Sequence, residues 1–309
     1  MAFQTLLKKE EIAKYLEAGK IAAETMKKAK RLVTDGKKLL SICESLEETI
    51  RQQGAEPSFP VNISVNQIAA HYTSPASDEL KIPERSIVKV DLGAHVDGYI
   101  SDHAKSFLVN PTKSYRHLEE TAEKALNAAI GIVKPGIRVG DIGEVIEETI
   151  REGGLVPVTD LSGHIIERWK LHTGTAIPNS KPMVSFLTPK IKEGQVLAIE
   201  PFVTTADGSE NIYEESYSFI FSQKGTKASS KNAKKVLKTI EKYHRLPFAI
   251  RWLHGLLPET ELFEAFKELL EHDTLIRYPM LVSKSQTLVA QAEHTVIVTK
   301  NGCEITTKH

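Results

Sequence analysis

Apolar positions recur at helical spacing in two matched stretches, from about Glu10 to Val33 and from about Tyr115 to Val133. Each is followed by a turn glycine, Gly36 or Gly136, and by a second amphipathic pattern that closes on Gly54 or Gly154. This predicts two helix–turn–helix units. The strings themselves repeat at an offset of 100 residues. Gly36-Lys-Lys-Leu-Leu-Ser-Ile42 matches Gly136-Ile-Arg-Val-Gly-Asp-Ile142, Glu47-Glu-Thr-Ile-Arg51 matches Glu147-Glu-Thr-Ile-Arg151, and Pro57 returns as Pro157.

The echo continues into apolar runs that end on a carboxylate, Ile87-Val-Lys-Val-Asp91 and Val196-Leu-Ala-Ile-Glu200. His71 and His172 are similarly related. We expect a duplicated helix–helix–strand unit, with halves at about 10–110 and 111–226. Two such units make one pseudo-symmetric α+β domain with a site between them. The segment 227–285 has no counterpart. Val236, Leu237, Ile240 and Tyr243, then Leu262, Phe263, Phe266, Leu269 and Leu270 after Pro258, follow helical spacing. A helical insertion is expected there, before last strands over 286–309, one of them running from about Leu288 to Val298.

Composition narrows the class. The 309 residues are 41% hydrophobic and 26% charged, as in ordinary globular proteins. Basic and acidic residues balance, 40 against 40, which argues against a nucleic-acid partner. The Lys27–Lys38 stretch lies on a helical pattern and is expected to be a solvated face. No run of about 18 apolar residues is present, so no membrane span is expected. The first residues lack a signal-peptide core. Cys43 and Cys303 make no disulfide framework, and Cys43 falls among buried helical positions. A cytoplasmic setting is expected.

The chemistry lies in carboxylates on strands. Asp97-Gly98 is a tight-turn signal inside Asp91–Asp102, predicting a hairpin. A two-residue loop sets Asp91 against Ala104 and diagonal to Asp102, whereas a loop shifted by one residue sets the two carboxylates directly opposite. In either register they share a face, roughly 5–8 Å apart at Cβ. Like charges so placed repel, and a cation between them removes the cost. Glu200 and Glu293 also sit in apolar runs, and His164 follows Ser162-Gly163, small residues that leave room near the ring. Each alone is weak, since strand acids are mostly solvated and single histidines mostly core residues. Together, four carboxylates and an imidazole suit two divalent ions such as Mn, Fe or Co, which about 3.5–4 Å apart can activate a water between them.

At these residues the chain resembles the type 2 methionine aminopeptidases of the archaeal kind, over nearly its whole length. The matching strings are Phe59-Pro-Val-Asn62, Ala70-His-Tyr-Thr73, Asp91 to Asp102, Leu161-Ser-Gly-His164, Lys170-Leu-His172, Ile199-Glu-Pro-Phe202 and Ala292-Glu-His-Thr295. The resemblance implies the pseudo-two-fold pita-bread (creatinase/aminopeptidase) fold with a helical insertion. It implies Asp91, Asp102, His164, Glu200 and Glu293 as ligands of two ions, Co, Mn or Fe, with Zn admitted. Asp102 and Glu293 would bridge, Asp91 would complete one ion, and His164 with Glu200 the other. Glu200 would also carry a proton to the leaving amine. His71 and His172 would contact the scissile amide and its oxyanion, and Phe59 and Tyr278 would line the methionine pocket. The implied activity is cotranslational removal of the initiator methionine before a small second residue. The implied partners are N-termini of nascent polypeptides, with the ribosome a candidate contact and a monomer expected. Ala292 departs from the family pattern, where an aromatic residue is expected. Proline-specific peptidases share the fold and ligand logic but usually carry a separate N-terminal domain and lack this insertion. A pseudo-enzyme, the same fold used as a protein- or RNA-binding module, would be marked by loss of ligands, and all five stand.

Overall fold

The computed structural model describes residues 7–208 and 210–308. Its first two helices, α1 (Lys9–Leu32) and α2 (Leu39–Gln52), are joined through Gly36 at φ +72°. Gly54, at φ +85°, ends the unit. The second pair, α3 (Lys113–Ile132) and α4 (Val139–Glu152), repeats the device with Gly136 at +92° and Gly154 at +70°. Only glycine adopts this left-handed turn without a Cβ penalty, which explains why the glycines recur. The inward stripe recurs too: Ile42, Leu46 and Ile50 in α2 and Ile142, Ile146 and Ile150 in α4 are all buried. They head two separate apolar cores, one under each helix pair.

Each core is closed by a sheet. Beside the first pair, antiparallel strands Glu56–Val65, Ser86–Val96 and Tyr99–Val109 form a sheet with Ser86–Val96 in the middle. Beside the second, five strands run in the order Cys303–Ile305, His294–Val298, Val196–Ile199, Ser162–Ile166, Ala176–Pro178. The sheets are stitched together where the carboxylates lie. The Thr295 hydroxyl accepts from the Asp102 N–H and donates to its carbonyl, both at 2.8 Å, and the Glu293 N–H donates to the Ala104 carbonyl at 2.9 Å.

The expected strand over 288–298 is instead two, Val289–Gln291 and His294–Val298. The first pairs with Phe202–Thr204 and the second with Val196–Ile199. The partner run is broken at the same level by Pro201, which has no N–H for a ladder. The chain therefore bends out of one sheet and into another at Ala292–Glu293.

The segment between the two runs holds α5 (Lys231–Ile240) and α6 (Glu259–Glu271) over a third core of Phe221, Val236, Ile240, Phe248, Phe266 and Leu269. It is not purely helical. Ile220–Gln223 pairs with Phe248–Ala249 and with Leu275–Tyr278. Tyr243 lies past α5 in a short 3-10 turn, Glu241–Tyr243. Phe263 is exposed, because Leu262, Ala265, Phe266 and Leu269 already form the inward face of α6. A buried ion pair ties this segment to the first half. Arg251 meets the Glu47 carboxylate and donates to the Thr73 hydroxyl at 2.7 Å and the Ser74 carbonyl at 3.2 Å. The other Glu47 oxygen accepts from the Trp252 indole at 2.8 Å.

Candidate active site

The hairpin takes the two-residue loop: Val96 pairs with Tyr99, and Asp97 and Gly98 both have positive φ. Asp91 accordingly faces Ala104, and Gly93 faces Asp102, placing the carboxylates diagonally on one face. Gly93 has a second use. A Cβ there would fall 2.0 Å from the Ser58 hydroxyl and 2.5 Å from the Phe59 ring, so its absence lets Phe59 in beside Asp102.

The second half brings the remaining groups. His164 Nε2 lies 3.4 Å from Asp102 Oδ2 and 3.9 Å from Glu200 Oε1. Asp102, His164 and Glu293, all buried, offer ligand atoms within 4.8 Å of one another. Gln291 donates to Glu200 Oε2 at 3.3 Å. The expectation that Gly163 makes room for the His164 ring needs correction. A Cβ on Gly163 would strike the Ala198 carbonyl at 2.2 Å, so this glycine lets two strand backbones approach.

Four carboxylates here, Asp102 and Glu293 buried and Asp91 and Glu200 half-buried, have no cationic partner among the described residues. Asp91 Oδ1, Asp102 Oδ1 and both Glu293 oxygens have no hydrogen bond. Lys89, a fully buried amine two residues from Asp91 whose pKa burial lowers to about 7, donates instead to the carbonyls of Asn66 and Val289, at 3.0 and 2.8 Å. Burial pushes the Asp91, Glu200 and Glu293 carboxyls well above the usual range, and the charge of Asp102 pushes the same way. Burial lifts Asp102 to about 7. Burial also lowers His164 to about 4, leaving a neutral imidazole at neutral pH. Unpaired acidic oxygens around a neutral ring form a donor set that divalent cations fit and that is costly without them.

The carboxylates open into a cavity of about 320 Å³ lined also by Phe59, His71, His172, Ile220, Pro247 and Tyr278. His71 and His172 flank Tyr278, with ring centroids 5.8 and 6.4 Å from it. His71 holds the left-handed φ of +65°, and its Nδ1 lies 3.2 Å from the Pro279 carbonyl. Burial lowers His71 to about 4. The His172 ring packs 4.3 Å from that of His164, and the residue is exposed at the cleft. Desolvation by the surrounding protein, and then the His164 neighbour, lower it as well. Tyr278 and Ile220 come from facing positions of the small sheet in the insertion, so that segment supplies a wall of the cavity.

All nine residues singled out in the sequence lie in or beside this one site. Gln291, Asn62 and the Arg251–Glu47 pair were missed. Asn62 stands opposite Asp91 in the sheet and lines the cavity. It belongs to the Phe59–Asn62 string, but nothing in the residue itself announces a role.

Residues 13–300 match the family model described as metallopeptidase family M24. The methionine aminopeptidase of Methanothermobacter thermautotrophicus is 40% identical over 299 residues, 96% of this chain and 99% of that protein. That of Thermococcus onnurineus is 43% identical over 295 residues, covering 94% and 98%. Among solved structures, a methionine aminopeptidase from Thermotoga maritima has a TM-score of 0.73 at 24% identity, covering 99% of both chains. A prolidase from Pyrococcus furiosus has a TM-score of 0.63 at 21% identity, covering 98% of this chain and 65% of its own. The fold is thus the α+β pita-bread arrangement with a helical insertion. The enzyme is a hydrolase that uses divalent metal, and the chain belongs to metallopeptidase family M24, among the methionine aminopeptidases.

Proposed function

We propose that the chain removes the initiator methionine from nascent polypeptides in the cytoplasm, as a monomer, by hydrolysing the first peptide bond when the second residue is small. Family membership supports the methionine specificity. The observation that carries the chemistry is the convergence of Asp91, Asp102, His164 and Glu200 on one cavity, with Glu293 beside Asp102 and His164 and with unpaired oxygens on Asp91, Asp102 and Glu293.

These five residues would hold two divalent ions, with Co, Mn and Fe suited to the oxygen-rich set. When bound, such ions supply an activated water and stabilise charge that develops on the scissile carbonyl oxygen. The protein's own groups do the rest. Phe59 and Tyr278 accept the unbranched, polarizable methionine side chain. His172, neutral at pH 7, donates a hydrogen bond to the carbonyl oxygen as charge grows there. His71 orients the scissile amide. Glu200, its carboxyl raised by burial, takes a proton and delivers it to the leaving amine.

The test is hydrolysis of Met-Ala-Ser and Met-Lys-Ser by metal-stripped protein refilled with defined ions. Efficient release of methionine from the first peptide and poor release from the second is expected. Preference for any residue before proline would favour a proline-specific peptidase instead.

A further inference from the structure

The catalytic cavity does not end at the carboxylates. Leu171, His172, Pro247 and Tyr278 line both it and an adjoining cleft of about 420 Å³. The outer wall of that cleft is exposed and basic, made by Arg168, Lys170, His244 and Arg245. Past Leu246 and Pro247 the cleft continues into a pocket of about 590 Å³ walled by the rings of Trp169, Tyr243 and Trp252. Pro247 lines all three spaces.

The backbone here is held in uncommon conformations. Trp169, His244 and Arg245 have φ of +60°, +50° and +70°. The turn is kept by hydrogen bonds from the His244 N–H to the Glu241 carbonyl, 3.0 Å, and from the Leu246 N–H to the Tyr243 carbonyl, 2.8 Å. The Trp169 and His244 rings pack 4.0 Å apart. Trp169 itself lies on Gly98, where a Cβ would come within 2.3 Å of the indole. Non-glycine residues keep such conformations where surroundings over-determine them, often beside binding sites.

The cations of the wall are not equivalent. Lys170 is paired with Glu167 at 2.9 Å. Arg168 donates to the Asp97 carbonyl at 2.8 Å and lies over the Tyr99 ring. The side chain of Arg245 has no hydrogen bond or ion pair with any described residue, and it is exposed at the cleft. An exopeptidase takes its substrate amino end first, so every residue after the second must leave by the open side of the cavity. Two lining residues of the cavity are exposed: His172, beside these cations, and Asp160, whose carboxylate is already engaged by the Asn211 amide and the Ile212 N–H.

We propose that the cleft past Arg245 towards Trp169 is the track of the substrate's downstream residues, from the third onward, and that Arg245 makes the enzyme favour acidic side chains there. This rests on the aminopeptidase reading above. The test compares kcat/KM for Met-Ala-Ser-Glu-Glu-Glu and Met-Ala-Ser-Lys-Lys-Lys, each relative to Met-Ala-Ser on the same protein. Arg245→Asn and Arg245→Asp both tolerate the left-handed backbone. The wild type should favour the acidic peptide about fivefold at low salt, the gap closing as salt is added. Arg245→Asn should remove the preference and Arg245→Asp should reverse it. One acid-to-base ratio shared by all three proteins would overturn the proposal. If no ion restores cleavage of Met-Ala-Ser, it is the aminopeptidase reading that fails. Calorimetric binding of the same two longer peptides to chelated protein then still decides the cleft, and equal binding overturns its selectivity.

Discussion

Glu200 and Glu293 face each other across two strands interrupted at the same level. Ile199 pairs with His294 and Phe202 with Gln291, in one unbroken register, so the residues between them are opposed. The Ala292 N–H reaches the Pro201 carbonyl at 3.3 Å, which keeps the runs side by side through the gap. Two carboxylates thus meet where the ladder is open, and both are pushed towards their protonated forms by burial.

Removing one charge from this pair should separate stability from function. Glu293→Gln relieves like-charge repulsion in stripped protein while deleting a ligand oxygen. We expect a higher Tm than stripped wild type at pH 8, no Tm gain on adding Mn or Co, and loss of most activity. Thermal scans with and without ions check this, and a normal metal-induced rise would remove Glu293 from the ligand set.

The carboxylates also set a pH dependence. A carboxyl whose folded pKa lies above its unfolded value contributes stability that is present below the unfolded pKa and lost as pH rises through the folded one. For Asp102 that window runs from the usual carboxylate range to about 7. Asp91, Glu200 and Glu293 are shifted in the same direction. Bound cations favour the ionised forms, so the Tm gap between loaded and stripped protein should widen from pH 5 to pH 8. A gap independent of pH over that range would contradict the account.

The paired histidines are expected to act on substrate, not on metal. His172→Ala should keep its ions and its fold while turnover falls by about 10²–10³. His71→Ala should also impair catalysis, with the larger effect on KM. Metal titration beside peptide kinetics decides: loss of ions in His172→Ala would make it a ligand, and normal turnover in both would make them packing residues.

Much of this site was legible in the sequence because its parts obey local rules. Gly36 with Gly54 and Gly136 with Gly154 mark two helical units, and Asp97-Gly98 fixes the hairpin that aligns Asp91 with Asp102. Apolar runs ending at Asp91 and Glu200 announce half-buried acids. What escaped depends on contacts distant in sequence. Pro201 hints at its own strand break, but nothing around Ala292 signals the matching one, which exists because the partner strand bends. Gln291 is an ordinary strand residue until Glu200 is beside it. Arg251 and Glu47, 204 residues apart, look like two solvated charges.

That last pair supports a stability prediction. Glu47 is buried, and its carboxyl is raised by burial against the pull of Arg251. Arg251→Leu leaves the acid unpaired, with the Thr73 hydroxyl and the Ser74 carbonyl losing a donor two and three residues past His71. The expected loss is about 3–5 kcal/mol at neutral pH, read by denaturant unfolding. A change under about 1 kcal/mol would show that the pair does not anchor the insertion to the first half.

The central claim, that five residues hold divalent ions which drive removal of methionine before a small residue, is tested most directly by one titration. Protein stripped by chelation is refilled with Mn, Fe or Co while methionine release from Met-Ala-Ser and Met-Lys-Ser is followed. The account predicts negligible release before refilling, recovery that saturates near two ions per chain, and strong preference for Met-Ala-Ser. Full activity in the chelated protein, or equal release from both peptides, would contradict it.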